Sequence, residues 1–518
     1  MYGAQYKVKY IAPTASAAFL VEGTTIHKAF SIKVRKHHKT AQLDNDDNYT
    51  VIISVANRQQ IREEFKNIEV LMVDEVSLLG QQLLAEMDHA LRYAKENNEP
   101  FGGIIIIFVG DFFQYPPVRQ TPLYTPLNQF DSINDYELLR RLGRLAWKSV
   151  TDVIHLDEQQ RMKEDPEYAA AVDRLGKRKC TMKDVTLFNS HVIKSVENPD
   201  GVDMSELKYR NAVAIVSTNL LREAINMRKA IANCQSTDRL TICAAHDTIR
   251  GYDITDEVHQ HLLKMDISHF TSDGALPGFL PLYEGMSVIL RYQNISTELG
   301  IVNGAQGILR KFSTYVDSNN FTCLKAALIE LPQSKVQLSD LPPKYCIVEP
   351  TTWTTTVSLN LDPANPNSQC EKYKLICEQA NFQPAFAVTG QSAQGKTLPT
   401  VLSFLHLGGF SAYVSASRAK TRDGLCIVQP VTLANLNHPL PYDLVHENSR
   451  LEAMEHNTLV KYNFLSEPLI DVPEPEYEKH NNFKVGKPIF STSTDNQMKR
   501  KSDLHEIDDT STQRRKLH

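Results

Sequence analysis

The sequence predicts an α/β protein interrupted by a block of short antiparallel strands. Three observations carry this. Val70–Val73, Ile104–Val109, Ala212–Val216, Val401–Leu405 and Leu425–Val428 are short, continuous apolar runs. Continuous Val/Ile/Leu runs, rather than alternation, mark strands buried on both faces of a parallel sheet. Helical patterns lie between them. From Leu78 to Tyr93, the side chains Leu79, Leu83, Leu84, Met87 and Leu91 recur on one face of a helix. Strands that alternate with helices form α/β layers. The pattern then changes between Leu280 and Val357. Met286–Tyr292, Ala305–Phe312, Cys323–Leu331 and Tyr345–Glu349 are separated by Gly, Asn, Asp and Pro, as in a small antiparallel barrel. The α/β signal resumes near Phe386, so the barrel reads as an insertion.

A chain of 518 residues exceeds a single core, which predicts two or more domains. Its hydrophobic content of 42% is ordinary for a globular protein. No apolar run reaches the length of a membrane span. The start, Met1 to Tyr10, lacks the basic-then-apolar pattern of a signal peptide, which predicts an intracellular protein. Eight cysteines are scattered without a Cys-x-x-Cys pair or zinc spacing, so they read as reduced thiols and no structural zinc is expected. The net charge of -5 argues against a simple DNA-coating protein, but not against an enzyme with a local basic channel. Beyond Pro430 the pattern weakens. A helix is expected around Leu444–Lys461, and the Pro-, Glu-, Asn-, Ser- and Lys-rich chain from Pro468 reads as disordered.

Two strand ends carry chemistry. In Val70-Leu-Met-Val-Asp74-Glu75-Val-Ser77 an apolar strand ends in paired carboxylates. Nucleotide hydrolysis needs one acid to hold the Mg²⁺ shell and another to orient and deprotonate water. Asp74 suits the metal role and Glu75 the base, although acids also end strands by chance. The second is Gly103-Ile-Ile-Ile-Ile-Phe-Val-Gly110-Asp111-Phe-Phe-Gln114-Tyr-Pro116-Pro117-Val118. Ligand groups gather at strand ends in α/β sheets, and Gln114 could contact a terminal phosphate there. The plain alternative is a strand and turn punctuated by the prolines.

Further segments make a family resemblance plain. Ala12-Pro-Thr14-Ala-Ser-Ala-Ala18 and Gly23-Thr-Thr25-Ile-His27-Lys-Ala-Phe30 resemble motifs that follow the phosphate-binding loop in Pif-family (RecD-like, superfamily one) helicases. Asp74-Glu75-Val-Ser77 resembles their Walker B element, and Gly110–Val118 their phosphate sensor. Leu156-Asp-Glu-Gln-Gln-Arg161, Val302-Asn303-Gly304-Ala-Gln-Gly307, Thr389-Gly-Gln-Ser-Ala-Gln394-Gly395-Lys-Thr397 and Tyr413-Val-Ser-Ala-Ser417-Arg418-Ala419 resemble later motifs, in the family's order. The wording is also similar to helicases of eukaryotic Helitron transposons.

The resemblance implies two RecA-like P-loop NTPase domains, a small SH3-like β-barrel insertion and a disordered C-terminal tail. The expected boundaries are 1–147 for the first RecA-like domain, 148–275 plus 384–430 for the second, 276–383 for the barrel, and 431–518 for a C-terminal helix and tail. It implies ATP and Mg²⁺ as cofactors, with Asp74 on the metal. Arg161 and Arg418 would stabilise the transferring phosphoryl group, and Gln394 and Gly395 would sit beside the nucleotide. Thr14, Thr25, His27, Asn303 and Gly304 would contact single-stranded DNA. His27 also reads as a core histidine. Phe112 and Phe113 read as core packing ahead of base stacking. The implied activity is 5′ to 3′ ATP-dependent helicase action on single strands and duplex junctions, in DNA repair, recombination, telomere maintenance or transposon replication. A nuclear location is implied, with mitochondria as a second site and no membrane association.

The sequence departs from the family in one large respect. No Gly-x-x-Gly-x-Gly-Lys-Ser/Thr element occurs, and only eleven residues precede Ala12. A truncated gene model or a decayed transposon copy is therefore expected. The rival expectation is a module that binds single-stranded DNA without hydrolysing ATP. By itself, the polypeptide is expected to show little DNA-stimulated ATPase. Gly390-Gln391-Ser392-Ala393 also lacks the lysine usual in the family's run. In the tail, Lys499-Arg-Lys501 and Arg514-Arg-Lys516 have the spacing of a two-part nuclear import signal, or of a solvated charged tail.

Overall fold

A computed structural model describes residues 7–32, 55–127, 135–209, 211–234, 240–252, 254–265, 277–291, 294–360 and 370–473. The two basic clusters and nearly all of the tail expected to be disordered lie outside these residues. The described residues fall within one compact unit, Met1–Pro475.

The first lobe contains β1 (Val8–Ala12), α1 (Ala15–Leu20), β2 (Thr24–Thr25), α2 (Ile26–Ala29), α3 (Val55–Phe65), β3 (Val70–Val73), α4 (Gln81–Lys95), β4 (Ile105–Phe108) and α5 (Asp135–Lys148). Its four strands are parallel, in the order β2-β1-β3-β4. Leu83, Leu84, Met87 and Leu91 of α4 pack with Leu71, Val73 and Ile106 in one core, as the helical spacing predicts. In β4 the expectation of two buried faces is met on one side only. Ile106 and Phe108 join the core, while Ile105 and Ile107 are 62% and 42% exposed. β4 is an edge of the described sheet, which leaves that face open.

The second lobe starts with α6 (Pro166–Gly176), α7 (Met182–Asn189), β5 (Val213–Val216) and α8 (Asn219–Asn233). The insertion follows. It comprises β6 (Thr241–Ala244), β7 (His246–Ile249), α9 (Asp256–Leu263), β8 (Phe279–Leu282), β9 (Ser287–Leu290), β10 (Gln306–Val316), β11 (Thr322–Glu330), β12 (Tyr345–Val348), β13 (Pro350–Leu359), β14 (Glu371–Ala380) and β15 (Phe382–Pro384). The chain then returns through β16 (Ala387–Thr389), α10 (Gly390–Ala393), β17 (Val401–Ser403), α11 (Gly409–Ala416) and β18 (Leu425–Ile427). These strands complete a second parallel sheet, β16-β5-β17-β18.

The insertion is larger than expected and starts earlier. β6 pairs with β8 and β11 in a seven-stranded sheet, and β7 pairs with β14 in a three-stranded one. Residues 241–249, assigned from sequence to the second RecA-like domain, thus belong to the insertion. So does Pro384, which pairs with Val288. A buried core that includes Leu280, Leu282, Val288, Leu309, Ile329 and Phe382 packs on the larger sheet.

Past α12 (Leu433–Leu436), the long α13 (Tyr442–Lys461) returns to the first lobe. Leu451 enters the first-lobe core. Glu447, 2% exposed, accepts from Arg144 at 2.9 Å and from the Trp147 indole at 2.7 Å. The expected C-terminal helix, α13, therefore braces the first lobe.

Candidate functional site: a seam between the two lobes

β3 ends at Val73, and the chain turns sharply. Glu75 adopts left-handed backbone geometry, with φ of 52°. A non-glycine residue held there is a form of strain that gathers at functional sites. The Glu75 amide donates to Asp74 Oδ1 at 2.9 Å, which orients the first carboxylate. Beside it, Gly110 follows β4. A Cβ at Gly110 would lie 2.7 Å from the Val76 nitrogen, so the two strand ends meet only because this residue is glycine.

Burial raises the pKa of Asp74, partly offset by the Glu75 amide. Burial also raises Glu75, and the Asp74 and Asp111 charges push it further, while the Gln394 hydrogen bond and Arg418 pull it down. Three carboxylates thus crowd one half-buried place. A divalent cation there would relieve both their desolvation and their mutual repulsion, so the donor set fits Mg²⁺.

The second lobe reaches this place along one seam. Gln394 Nε2 donates to Glu75 Oε2 and to Ser77 Oγ, both at 2.9 Å. Gly395, at φ +76°, would set a Cβ 3.2 Å from Glu75 Oε1. Tyr413 Oη donates to Asp111 Oδ2 at 2.7 Å. Gly390 packs so tightly on Tyr115 that a Cβ would lie 2.2 Å from its hydroxyl oxygen. Gln114 donates weakly to Asp111 Oδ2 at 3.4 Å, and its buried Oε1 has no partner.

Both arginines sit in the second-lobe wall. Arg161 donates to Thr397 Oγ1 at 3.1 Å and to the Ser417 carbonyl at 2.9 Å. Arg418, 2% exposed, donates to the Val414 carbonyl at 3.0 Å, to Ser417 Oγ at 2.7 Å and to the Lys396 carbonyl at 3.3 Å. Burial and the neighbouring Arg161 push Arg418 down to about 10, against the pull of Glu75. In this arrangement the Arg418 fork is held by its own lobe.

The residues expected to contact DNA lie partly on the first lobe and partly on the insertion. Thr14 and Thr25 cap α1 and α2, accepting from the Ala17 and Lys28 amides at 3.3 and 3.2 Å. His27 is half-buried, and burial lowers its pKa. Asn303 is exposed, its amide held by Asn294 Oδ1 at 2.9 Å, and Gly304 turns the chain at φ +93°. The insertion meets α1 and α2 through Lys335–Glu22 at 2.7 Å and Lys28–Glu298 at 3.5 Å. The expected core role of Phe112 holds: its ring packs edge-on against Tyr124 and Trp147.

Lys396 links the seam to the insertion. Its Nζ donates to the Gly304 carbonyl at 2.8 Å, two residues from the Gln394 that holds Glu75. Burial, with Arg291 adding to it, lowers the Lys396 pKa to about 8. Lys396, Ser77 and Tyr413 all lie inside recognised motifs, but no role was read for them. Their partners lie far away in the chain, and motif spacing carries no such information.

Residues 3–186 match the family model described as PIF1-like helicase. The chain is 24% identical over 310 residues to the ATP-dependent DNA helicase PIF7 of Trypanosoma brucei brucei, covering 58% of this chain and 28% of that protein. It is 38% identical over 122 residues to the ATP-dependent DNA helicase PIF1 of Saccharomyces cerevisiae, covering 24% and 13%. The matched parts are thus less than a third of either relative. A structure of the Bacteroides Pif1 helicase in complex with ADP-AlF3 and ssDNA superposes with a TM-score of 0.55 at 20% identity, over 86% of this chain and 88% of that one. That likeness establishes two RecA-like domains. In sequence the chain is thus similar to PIF1-like helicases over residues 3–186, and in fold it is similar to a solved Pif1 helicase.

Proposed function

We propose that this chain supplies the working parts of an ATP-dependent 5′ to 3′ DNA helicase that uses Mg²⁺. The carrying observation is the Glu75–Gln394 hydrogen bond at 2.9 Å, which ties the candidate base of one lobe to the motif wall of the other. Asp74 would hold the metal shell. Mg²⁺ would supply charge neutralisation for the phosphates. Glu75 would accept the proton of the attacking water, and Gln114 would face the terminal phosphate. Arg161 and Arg418 would answer the charge that develops on that phosphate. For Arg418 this requires release from its carbonyl partners, which couples hydrolysis to movement in the second-lobe wall.

Single-stranded DNA would run over Thr14, Thr25 and His27 on one side and Asn303 and Gly304 on the other. The groups there are hydroxyls, amides and a turn, which suit sequence-indifferent phosphate contacts. The motif order and the solved likeness support this reading. Action at duplex junctions in DNA repair, recombination and telomere maintenance, in the nucleus, is part of the same proposal.

Strand displacement tests it. The protein, expressed from its own gene, is given a 5′-tailed and a 3′-tailed duplex with ATP and Mg²⁺, and the 518-residue chain is assayed beside it. Opening of the 5′-tailed substrate supports the proposal. Failure to open either substrate by the gene-expressed protein, when it is folded and binds DNA, overturns it.

A further inference from the structure

A corner of the insertion, outside the motifs that resemble the helicases, gathers three metal-ligating side chains. His246 opens β7, a single residue after β6 ends. Cys323 lies near the start of β11, where it pairs with Ala244 of β6. Asp317 sits in the turn between β10 and β11. Their ligand atoms all lie within 4.8 Å of one another. His246 Nδ1 is 3.6 Å from Asp317 Oδ2, and Cys323 Sγ is 3.9 Å from that same oxygen.

Hydrogen bonding accounts for only part of this cluster: the Cys323 thiol donates weakly to Asp317 Oδ2 at 3.9 Å and to the Phe321 carbonyl at 3.8 Å. A separation of 3.6 Å between a ring nitrogen and a carboxylate oxygen is too long for a bond. His246 Nδ1 is shielded from solvent and has no hydrogen-bond partner. The Asp317 side chain is 2% exposed; Oδ1 accepts the Asn319 and Phe321 amides at 3.0 and 2.8 Å, and Oδ2 accepts only the long thiol contact from Cys323 at 3.9 Å. Those amides fix the carboxylate and aim Oδ2 at the imidazole and the thiol. A carboxylate so far removed from water needs a compensating positive charge. Behind it, Asp247 Oδ1 and His259 Nδ1 are likewise buried without partners. Unsatisfied groups concentrated in one place call for a common cause.

We propose that His246, Asp317 and Cys323 bind one zinc ion, which pins the β10–β11 turn to the β6–β7 corner where the two sheets of the insertion meet. The donor set of one nitrogen, one oxygen and one sulfur suits a borderline-soft divalent ion. Zinc bonds of ~2.0–2.3 Å in tetrahedral array place donors roughly 3.3–3.8 Å apart. The two spacings to Asp317 Oδ2, 3.6 and 3.9 Å, lie within or close to that range, and side-chain rotation closes the imidazole and thiol, which lie within 4.8 Å of each other. The Cys323 thiol gives its proton to solvent as the Zn–S bond forms. Asp317 is already oriented by its two amides, as ligating carboxylates are. The fourth position falls to water. Glu378, the register partner of His246 on β14, is the adjacent carboxylate. The ion's role is structural: it locks the hairpin tip and joins the two sheets, independently of ATP chemistry. Sequence spacing hid the site, because β6–β7 and the β10–β11 turn meet only in the fold.

Cobalt(II) titration of the chelator-stripped full chain tests this. One equivalent is expected to bind and to give a thiolate-to-cobalt charge-transfer band, displaced by one equivalent of zinc. Cys323→Ser should abolish the band, and His246→Ala should weaken binding by ~10-fold or more. Cys370→Ser, at an exposed cysteine away from the cluster, should leave both unchanged. Zinc should raise the melting temperature of the parent chain but not of Cys323→Ser, with circular dichroism confirming that both are folded. Absence of a charge-transfer band in the folded parent overturns the proposal. So does a band that survives in both Cys323→Ser and His246→Ala.

Discussion

Gln394 and Glu75, 319 residues apart, share a hydrogen bond of 2.9 Å that crosses from the second lobe to the first. The same amide reaches Ser77, so one side chain holds both the candidate base and the turn that carries it. This bond also lowers the pKa of a carboxylate that burial raises. Gln394 therefore positions Glu75 and tunes it.

In the gene-expressed protein, Gln394→Ala is expected to cut DNA-stimulated ATPase by ~10-fold or more, as loss of a hydrogen bond to a charged group implies. Its pH profile is diagnostic. A general base must be deprotonated, and the raised Glu75 pKa already sets the acid limb above the ordinary carboxylate range. Removing the bond raises that pKa further, so the acid limb should move to higher pH. A profile reduced in height but unmoved along the pH axis would assign Gln394 to packing alone.

Lys396→Met should separate DNA binding from ATP turnover. The substitution keeps much of the apolar stem but removes the 2.8 Å bond to the Gly304 carbonyl. Single-strand affinity is expected to stay within a few-fold, while stimulation of ATPase by DNA falls by ~10-fold. Equal loss of both in fluorescence-anisotropy and ATPase assays would make Lys396 a plain DNA contact.

The brace between α13 and the first lobe rests on a buried charge cluster. Burial raises Glu447, but the Arg450 hydrogen bond and the Arg144 charge outweigh it and leave the carboxyl below its ordinary value. Such a group stabilises the fold above its unfolded pKa, and the contribution is lost as pH falls through the lower folded value. Glu447→Ala strands Arg144 and Arg450 and is expected to cost ~3–5 kcal/mol. Glu447→Gln should cost less and should flatten the acid side of the stability curve. Thermal melts between neutral and acid pH check both.

The parallel strands and the Asp74-Glu75 and Gly110-Asp111 turns were legible because each is contiguous in sequence. Val70–Val73 and Val213–Val216 lie at or within one residue of the expected runs. The limits of the insertion were not legible. Thr241–Ala244 and His246–Ile249 resemble other short β segments, and only their partners, β8, β11 and β14, assign them. Ile105 and Ile107 show the limit of hydrophobicity as a guide to burial, since an edge strand can carry an apolar run with one face open. At the site, residue identities were readable and their pairings were not. Nothing local to Gln394, Lys396 or Tyr413 points to Glu75, Gly304 or Asp111.

Glu75 is the residue on which the helicase reading stands or falls. The decisive measurement is strand displacement of a 5′-tailed fork by the gene-expressed protein and its Glu75→Gln variant, with single-strand binding measured alongside. Loss of a general base predicts a fall of ~10²–10⁴-fold in ATP-driven unwinding with DNA affinity retained. Unwinding that persists undiminished in Glu75→Gln, or that prefers the 3′-tailed fork, would contradict the proposed function.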